Sequence, residues 1–400
     1  MKTIYLDYAA TTPIDHEVLS HMRPYWEMEY GNPSSMHASG RRAARAVRGA
    51  RDALAACINA SPDEITFTGS GTESDNLAII GVARAYSSVG KHVIISAIEH
   101  KAVLEAAHSL EIEGFEVSIA PVDACGMIDV QSLLTMVRDD TTLVSIMLAN
   151  NEIGTIQPIS KLAHALKERR EKTGLPILHT DACQAAGHLR LDVEEMGIDL
   201  MTLNGSKVYG PKGIGLLYKR SNVKISPIIT GGGQERGLRA GTESVPLIVG
   251  LAFAFLKAGD MREHELERLR DLRHYFISNL RLNIPDIIVN GHSSSVLSHI
   301  VHVTVPGIEG ESMVLMLDEK GVETATGSAC SANDLRPSHV LVAIGQNSDL
   351  IHGSVRFSLG RGTTREELDY VLSVFPPIVE RLKEASALTT VHYAKTRQSV

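Results

Sequence analysis

Short, almost wholly apolar runs alternate along the first 260 residues with longer stretches whose apolar positions recur every three or four residues. Ile65–Thr68, His92–Ser96, Val117–Ala120, Leu143–Leu148, Ile177–Thr180 and Leu200–Leu203 read as strands. Between them Ser74–Ala85, Ala102–Leu110, Val130–Val137 and Ile159–Lys172 read as helices. Strands that are apolar throughout are buried on both faces, and strand–helix alternation predicts a mainly parallel α/β sheet. The texture changes near residue 260. Asp260–Asn283 is a charged amphipathic helix, followed by strand candidates Ser298–Val305 and Ser354–Leu359 and helices at Ser312–Lys320 and Arg365–Ala385. This predicts a second, α+β domain. Thr389–Val400 is polar and is expected to fray.

Composition narrows the class. The 400 residues are 44% hydrophobic and 22% charged, with a net charge of −8, which excludes intrinsic disorder and argues against general nucleic-acid binding. The apolar run Pro246–Leu256 is far short of the roughly 20 residues of a membrane span. The opening MKTIYLDYAATTP has no apolar leader. Cys57, Cys125, Cys183 and Cys330 lie far apart, which disfavours a disulfide framework or a zinc site. A cytoplasmic, reduced protein without direct membrane contact is expected.

Several common chemistries drop out. Gly69-Ser70-Gly71-Thr72 continues as Glu73-Ser74, so it is no dinucleotide fingerprint, and Gly210-Pro211-Lys212-Gly213 has the wrong spacing for a P-loop. His16 and His21 are five apart, which turns them away from each other on a helix. Polar residues at the ends of the predicted strands remain, where open α/β sheets bind ligands. Gly69–Thr72 would cradle an anion, or Thr72 would simply cap the next helix. His100 would stack on a flat ring or cap a helix. Asn150-Asn151 would bind a carboxylate or form a turn. Asp181, with Gln184 three residues on, would pair with a protonated ring nitrogen or cap a helix. Lys207 or Lys212 would form a Schiff base, or either is a surface lysine. Cys330, among small residues, is a nucleophile candidate or incidental. Arg356 would bind a carboxylate or an internal acid. Together these are the parts of a pyridoxal phosphate site.

The motifs carry a specific resemblance. YLDYAATTP (Tyr5–Pro13), GNPSSMH (Gly31–His37), FTGSGTESDNLAI (Phe67–Ile79), EHKAVL (Glu99–Leu104) and NNEIGTIQPI (Asn150–Ile159) come first. HTDACQAAG (His179–Gly187), KVYGPKGIG (Lys207–Gly215), GGGQERGLRAGT (Gly231–Thr242), GSACSA (Gly327–Ala332) and VRFSLGR (Val355–Arg361) follow in order. The sequence resembles the cysteine desulfurases of the NifS/IscS type, class-V, fold-type I enzymes dependent on pyridoxal 5'-phosphate. The resemblance implies a homodimer whose large domain, residues 15–260, has a mainly parallel sheet. Residues 1–14 and 261–400 would form the small α+β domain.

It also implies roles. Lys207, rather than Lys212, is the Schiff-base lysine, Asp181 pairs with the pyridinium nitrogen, Gln184 meets the phenolic oxygen and His100 stacks on the ring. Gly71, Thr72 and Ser206 hold the phosphate, joined by Thr242 from the partner subunit. Arg356 and Asn151 bind the carboxylate of L-cysteine, and Cys330 takes the sulfur as a persulfide, leaving alanine. A sulfur-acceptor protein follows, serving iron–sulfur assembly, tRNA thiolation or DNA phosphorothioation, with nucleic acid involved only indirectly. A selenocysteine lyase-like enzyme and a weakly active scaffold of a sulfur-transfer complex are the rival readings. Two departures stand out. The family places serine and histidine three and one positions before the lysine, where this chain has Asn204 and Ser206, which predicts weaker cofactor binding. Cys183 stands where threonine is usual, as a packed core residue or a second thiol.

Overall fold

The computed structural model describes residues 3–327 and 337–397. The strand Ile4–Tyr5 (β1) precedes helices His16–Glu27 (α1) and Ala38–Cys57 (α2). The alternating region runs Ile65–Thr68 (β2), Gly71–Ala85 (α3), His92–Ser96 (β3), Lys101–Ile112 (α4), Glu116–Ala120 (β4) and Val130–Met136 (α5). It continues through Thr141–Ser145 (β5), Ile159–Thr173 (α6), Ile177–Asp181 (β6), Val193–Met196 (α7), Leu200–Asn204 (β7) and Gly215–Lys219 (β8). Then come Val245–Asn283 (α8), Ile288–Val289 (β9), Ile300–Thr304 (β10), Gly310–Asp318 (α9) and Val322–Glu323 (β11). His339–Ala343 (α10), Ser348–Ile351 (α11), Ser354–Ser358 (β12) and Arg365–Arg397 (α12) complete the chain.

The main sheet has the order β2-β8-β7-β6-β5-β3-β4. Only β8 runs against its neighbours, so β2 and β7 on either side of it point the same way as the other strands. The C-terminal ends of six strands therefore share one edge. Alternate residues feed two cores, as the two-residue period of a strand requires. Ile94, Val144, Leu178 and Met201 pack towards α2 and the first half of α8. Val93, Leu143, Ile177 and Leu200 pack towards α3 and α4.

A third core joins Ile4 and Leu6 to β10, β12, α9, α12 and the second half of α8. The N-terminal arm thus packs with the C-terminal elements. The expected boundary at residue 260 falls inside one continuous helix, α8. Its residues Val245–Ala258 belong to the large core, while Leu269, Phe276 and Leu280 belong to the small one. Its first half is too apolar to show an amphipathic stripe, so periodicity reveals the helix only from Asp260. α12 runs on to Arg397, past the point expected to fray. Among the described residues, no helix is long and apolar enough to cross a membrane.

Candidate active site

A cavity of about 260 Å³ opens at the shared strand edge. Gly71, Thr72, His100, Asn151, Asp181, Gln184, Ser206, Lys207 and Arg356 all line it. Residues far apart in sequence thus converge from the ends of β2, β3, β5, β6 and β7, with β12 and the N-terminal arm closing the other side. Thr242 stands on an exposed loop outside this cavity. Cys330 lies outside the described residues.

The turn after β2 begins a helix. Ser70, not Thr72, is its N-cap, accepting from the Glu73 amide at 3.1 Å. Gly71 and Thr72 are its first two residues, so their amides are among those a helix leaves without intrahelical partners. Glu73 braces the turn, accepting from the Gly69 amide at 2.8 Å and from Arg239 Nε at 2.9 Å. That ion pair ties the turn to the loop that carries Thr242. Space is tight: a Cβ on Gly71 would lie 2.9 Å from Cys183 Sγ and 3.1 Å from Asn204 Nδ2.

His100 does two things. Its Nδ1 accepts from the Ala102 amide at 3.1 Å as the cap of α4, and the side chain lines the cavity. The Asn150-Asn151 pair divides. Asn150 is a buried turn former whose Oδ1 accepts from Glu152 and Ile153, while Asn151 lines the cavity. Asp181 ends β6 and accepts from the Cys183 amide at 2.9 Å. No helix follows within the next few residues, so its carboxylate is a cavity group rather than a helix cap. Cys183 is buried, and its thiol is pushed well up by burial and by Asp181. It lines the cavity, and a thiol held up in this way disfavours the reactive thiolate.

Lys207 donates to the carbonyls of Ala9 and Ala10 at 2.8 and 2.5 Å. Lys212 is exposed and donates to the Thr12 carbonyl, and of the two lysines only Lys207 lines the cavity. Thr12 in turn donates to the Ser206 carbonyl, through its amide at 2.9 Å and its hydroxyl at 3.0 Å, clamping the arm onto the lysine turn. Gln184 Nε2 stands 3.0 Å from His299 Nε2, and its buried Oε1 has no partner. Turning the amide over would let Oε1 accept from the imidazole and send the NH₂ into the cavity, the orientation a phenolic oxygen requires.

Two buried acids escaped the sequence reading. Asp75 lies on α3, lines the cavity and is held well above the usual carboxylate range by burial and by the charge of Asp181. Its position four residues after Gly71, on the stripe with Ser74 and Ala78, was the available signal. Glu99, beside His100, accepts from Ser96 and from the Met147 amide. Burial pushes its carboxyl up to about 8. A raised carboxyl stabilises the fold fully below its unfolded value and loses that contribution as pH rises through about 8. Glu99→Gln removes the titration. The fall in melting temperature between pH 5 and pH 8.5, measured by calorimetry, is expected to shrink by several degrees, roughly a few kcal/mol.

The donor set fits pyridoxal phosphate. It offers a helix N-terminus with hydroxyls for the phosphate, a carboxylate for a ring nitrogen, an imidazole for a ring face and a lysine amine. Asp75 and Gln184, each with a buried oxygen that lacks a hydrogen-bond partner, add polar groups to the lining of the cavity. Ser206 Oγ makes only a long 3.4 Å contact with Asn204, leaving the phosphate end short of one ring donor. Ser206→His is therefore expected to raise cofactor affinity about tenfold, read by fluorescence titration of the apoenzyme. Unchanged affinity would show that Asn204 already compensates.

Fold and site together define a class, and the chain belongs to the class-V aminotransferase family, whose pattern residues 4–371 match. Such enzymes depend on pyridoxal phosphate. The cysteine desulfurase IscS of Dictyoglomus turgidum is 48% identical over 385 residues, covering 96% of each chain. A solved NifS-like protein has a TM-score of 0.89 and 36% identity, covering 95% of this chain and 100% of its own. The solved structure of SspA in complex with cysteine has a TM-score of 0.77 and 37% identity, covering 89% of this chain and 99% of its own.

Proposed function

We propose that the protein is a pyridoxal-phosphate-dependent cysteine desulfurase, converting L-cysteine to L-alanine and passing the sulfur to Cys330. The observation that carries this reading is the convergence of Lys207, Asp181, His100, Thr72 and Arg356 on one cavity. Kinship with desulfurases and with a cysteine-bound neighbour supports it.

When bound, the cofactor supplies an electron sink that acidifies the substrate α-carbon and weakens the bond to sulfur. The chain's residues do the rest. Gly71, Thr72 and Ser206 hold the phosphate, Asp181 the ring nitrogen, Gln184 the phenolic oxygen and His100 the ring face. Thr242 of a second subunit completes the phosphate site in a homodimer. Arg356 and Asn151 hold the substrate carboxylate, which fixes the orientation of the bound amino acid. Lys207 Nζ takes and returns the α-proton. The Cys330 thiolate attacks the substrate sulfur, forming a sulfur–sulfur bond as the carbon–sulfur bond breaks. A proton completes alanine, and the persulfide passes to an acceptor protein.

The test is alanine formation from L-cysteine with a reductant, comparing wild type and Cys330→Ala. Wild type is expected to turn over and the variant to lose at least about a hundredfold. Equal turnover by both would remove Cys330 from the chemistry. Selenocysteine consumed far faster than cysteine would favour the lyase reading.

A further inference from the structure

We propose that Asp7 sets how tightly this site holds a carboxylate: it positions Arg356 while weakening its grip, so that alanine leaves. This rests on the reading of Arg356 as the carboxylate anchor. Arg356 is 1% exposed on β12, and a buried guanidinium needs a counter-charge whether or not substrate is present. Its Nη2 donates to Asp7 Oδ1 at 2.8 Å and its Nη1 donates to the Asn151 carbonyl at 2.9 Å. Nε is buried without a partner. An arginine has five N–H donors in a fixed fork, so two contacts leave room for a carboxylate.

The two anions approach from different sides. Arg356 lines the cavity and Asp7 does not. A substrate carboxylate therefore joins Asp7 on the guanidinium rather than replacing it, and the two negative charges repel. The histidines nearby supply no charge of their own. His302, opposite Arg356 in the β10–β12 ladder, is pushed down to about 3 by burial, and His299 is also pushed well below its ordinary value. Among the described residues, Asp7 is the acid in direct ion-pair contact with the guanidinium. A site that must release alanine at every turnover gains from such a counterweight, since tight ground-state binding of product does not speed the chemical step.

Asp7→Asn isolates the effect, because the amide oxygen still accepts from Nη2 while the charge is gone. Calorimetric titration of the holoenzyme with L-alanine should show binding about tenfold tighter than wild type, the size of one removed like-charge interaction. Ethylamine, which lacks the carboxylate, should bind the two proteins alike. Turnover should show a lower KM for cysteine and a lower kcat. Asp7→Ser, with a shorter acceptor, should shift alanine affinity the same way if the first variant folds poorly. Alanine affinity unchanged or weakened in the folded variants overturns the proposal. Wild-type enzyme that binds alanine no better than ethylamine instead overturns the role of Arg356 on which it rests.

Discussion

Lys207→Ala is expected to reduce alanine formation by at least about a thousandfold, the scale of losing a positioned proton-transfer group. Lys207→Arg should rescue little, because a guanidinium stays protonated and cannot accept the α-proton. The fold should survive. The lysine holds the Ala9 and Ala10 carbonyls, but Thr12 keeps the arm on the same turn through its amide and hydroxyl contacts with Ser206. Losing the lysine contacts should therefore cost only about 1–2 kcal/mol. Chromatographic quantification of alanine, with a denaturation curve for each variant, separates the two effects. Alanine production within tenfold of wild type by a folded Lys207→Ala protein would remove the lysine from the mechanism.

The second large effect lies away from any reacting group. Gly215 begins β8 and faces the phosphate turn. A Cβ there would lie 2.4 Å from both the carbonyl carbon and the oxygen of Ser70. Those atoms are backbone and cannot swing aside as a side-chain end can. Gly215→Ala must displace Ser70, the cap of α3, and with it the Gly71 and Thr72 amides. Overpacking of this kind costs about 1–3 kcal/mol. The misplaced turn should reduce cofactor affinity by about a hundredfold. Gly49→Ala is the control, since nothing lies within 4 Å of its added carbon inside α2. It should stabilise the protein by about 0.5–1 kcal/mol and leave cofactor binding alone. A Gly215→Ala protein that binds cofactor normally would show that the turn is not held by β8.

Sequence alone revealed the strands of the main sheet well, because a strand buried on both faces writes an unbroken apolar run. His92–Ser96 is predicted to the residue. Helices α1 and α2 escaped notice. The buried stripe of α2 is Ala43, Val47, Ala50 and Leu54 among five arginines, and alanine gives little contrast. β8 was missed because its run is short and follows a glycine-rich loop. At the site, strand-end position raised Asp181, His100 and the competing Lys207 and Lys212 as candidates beside plainer roles, and only the resemblance chose between the lysines. Asp7 gave no local sign at all. Its partner is 349 residues away, and only the docking of the N-terminal arm brings them together. α3, expected from Ser74 with Thr72 as its possible cap, opens at Gly71 behind Ser70, a boundary finer than periodicity resolves.

The helix α8 has a consequence for handling the protein in pieces. Because its two halves are rooted in different cores, a cut at residue 260 would leave one fragment with a frayed helix end. The other fragment would carry Leu269, Phe276 and Leu280 without Ile4 and Leu6, which share their core but belong to the first piece. Neither fragment is a self-sufficient module. The large and small bodies should melt as one transition, and grafting the large body alone onto another scaffold would require re-facing the end of α8.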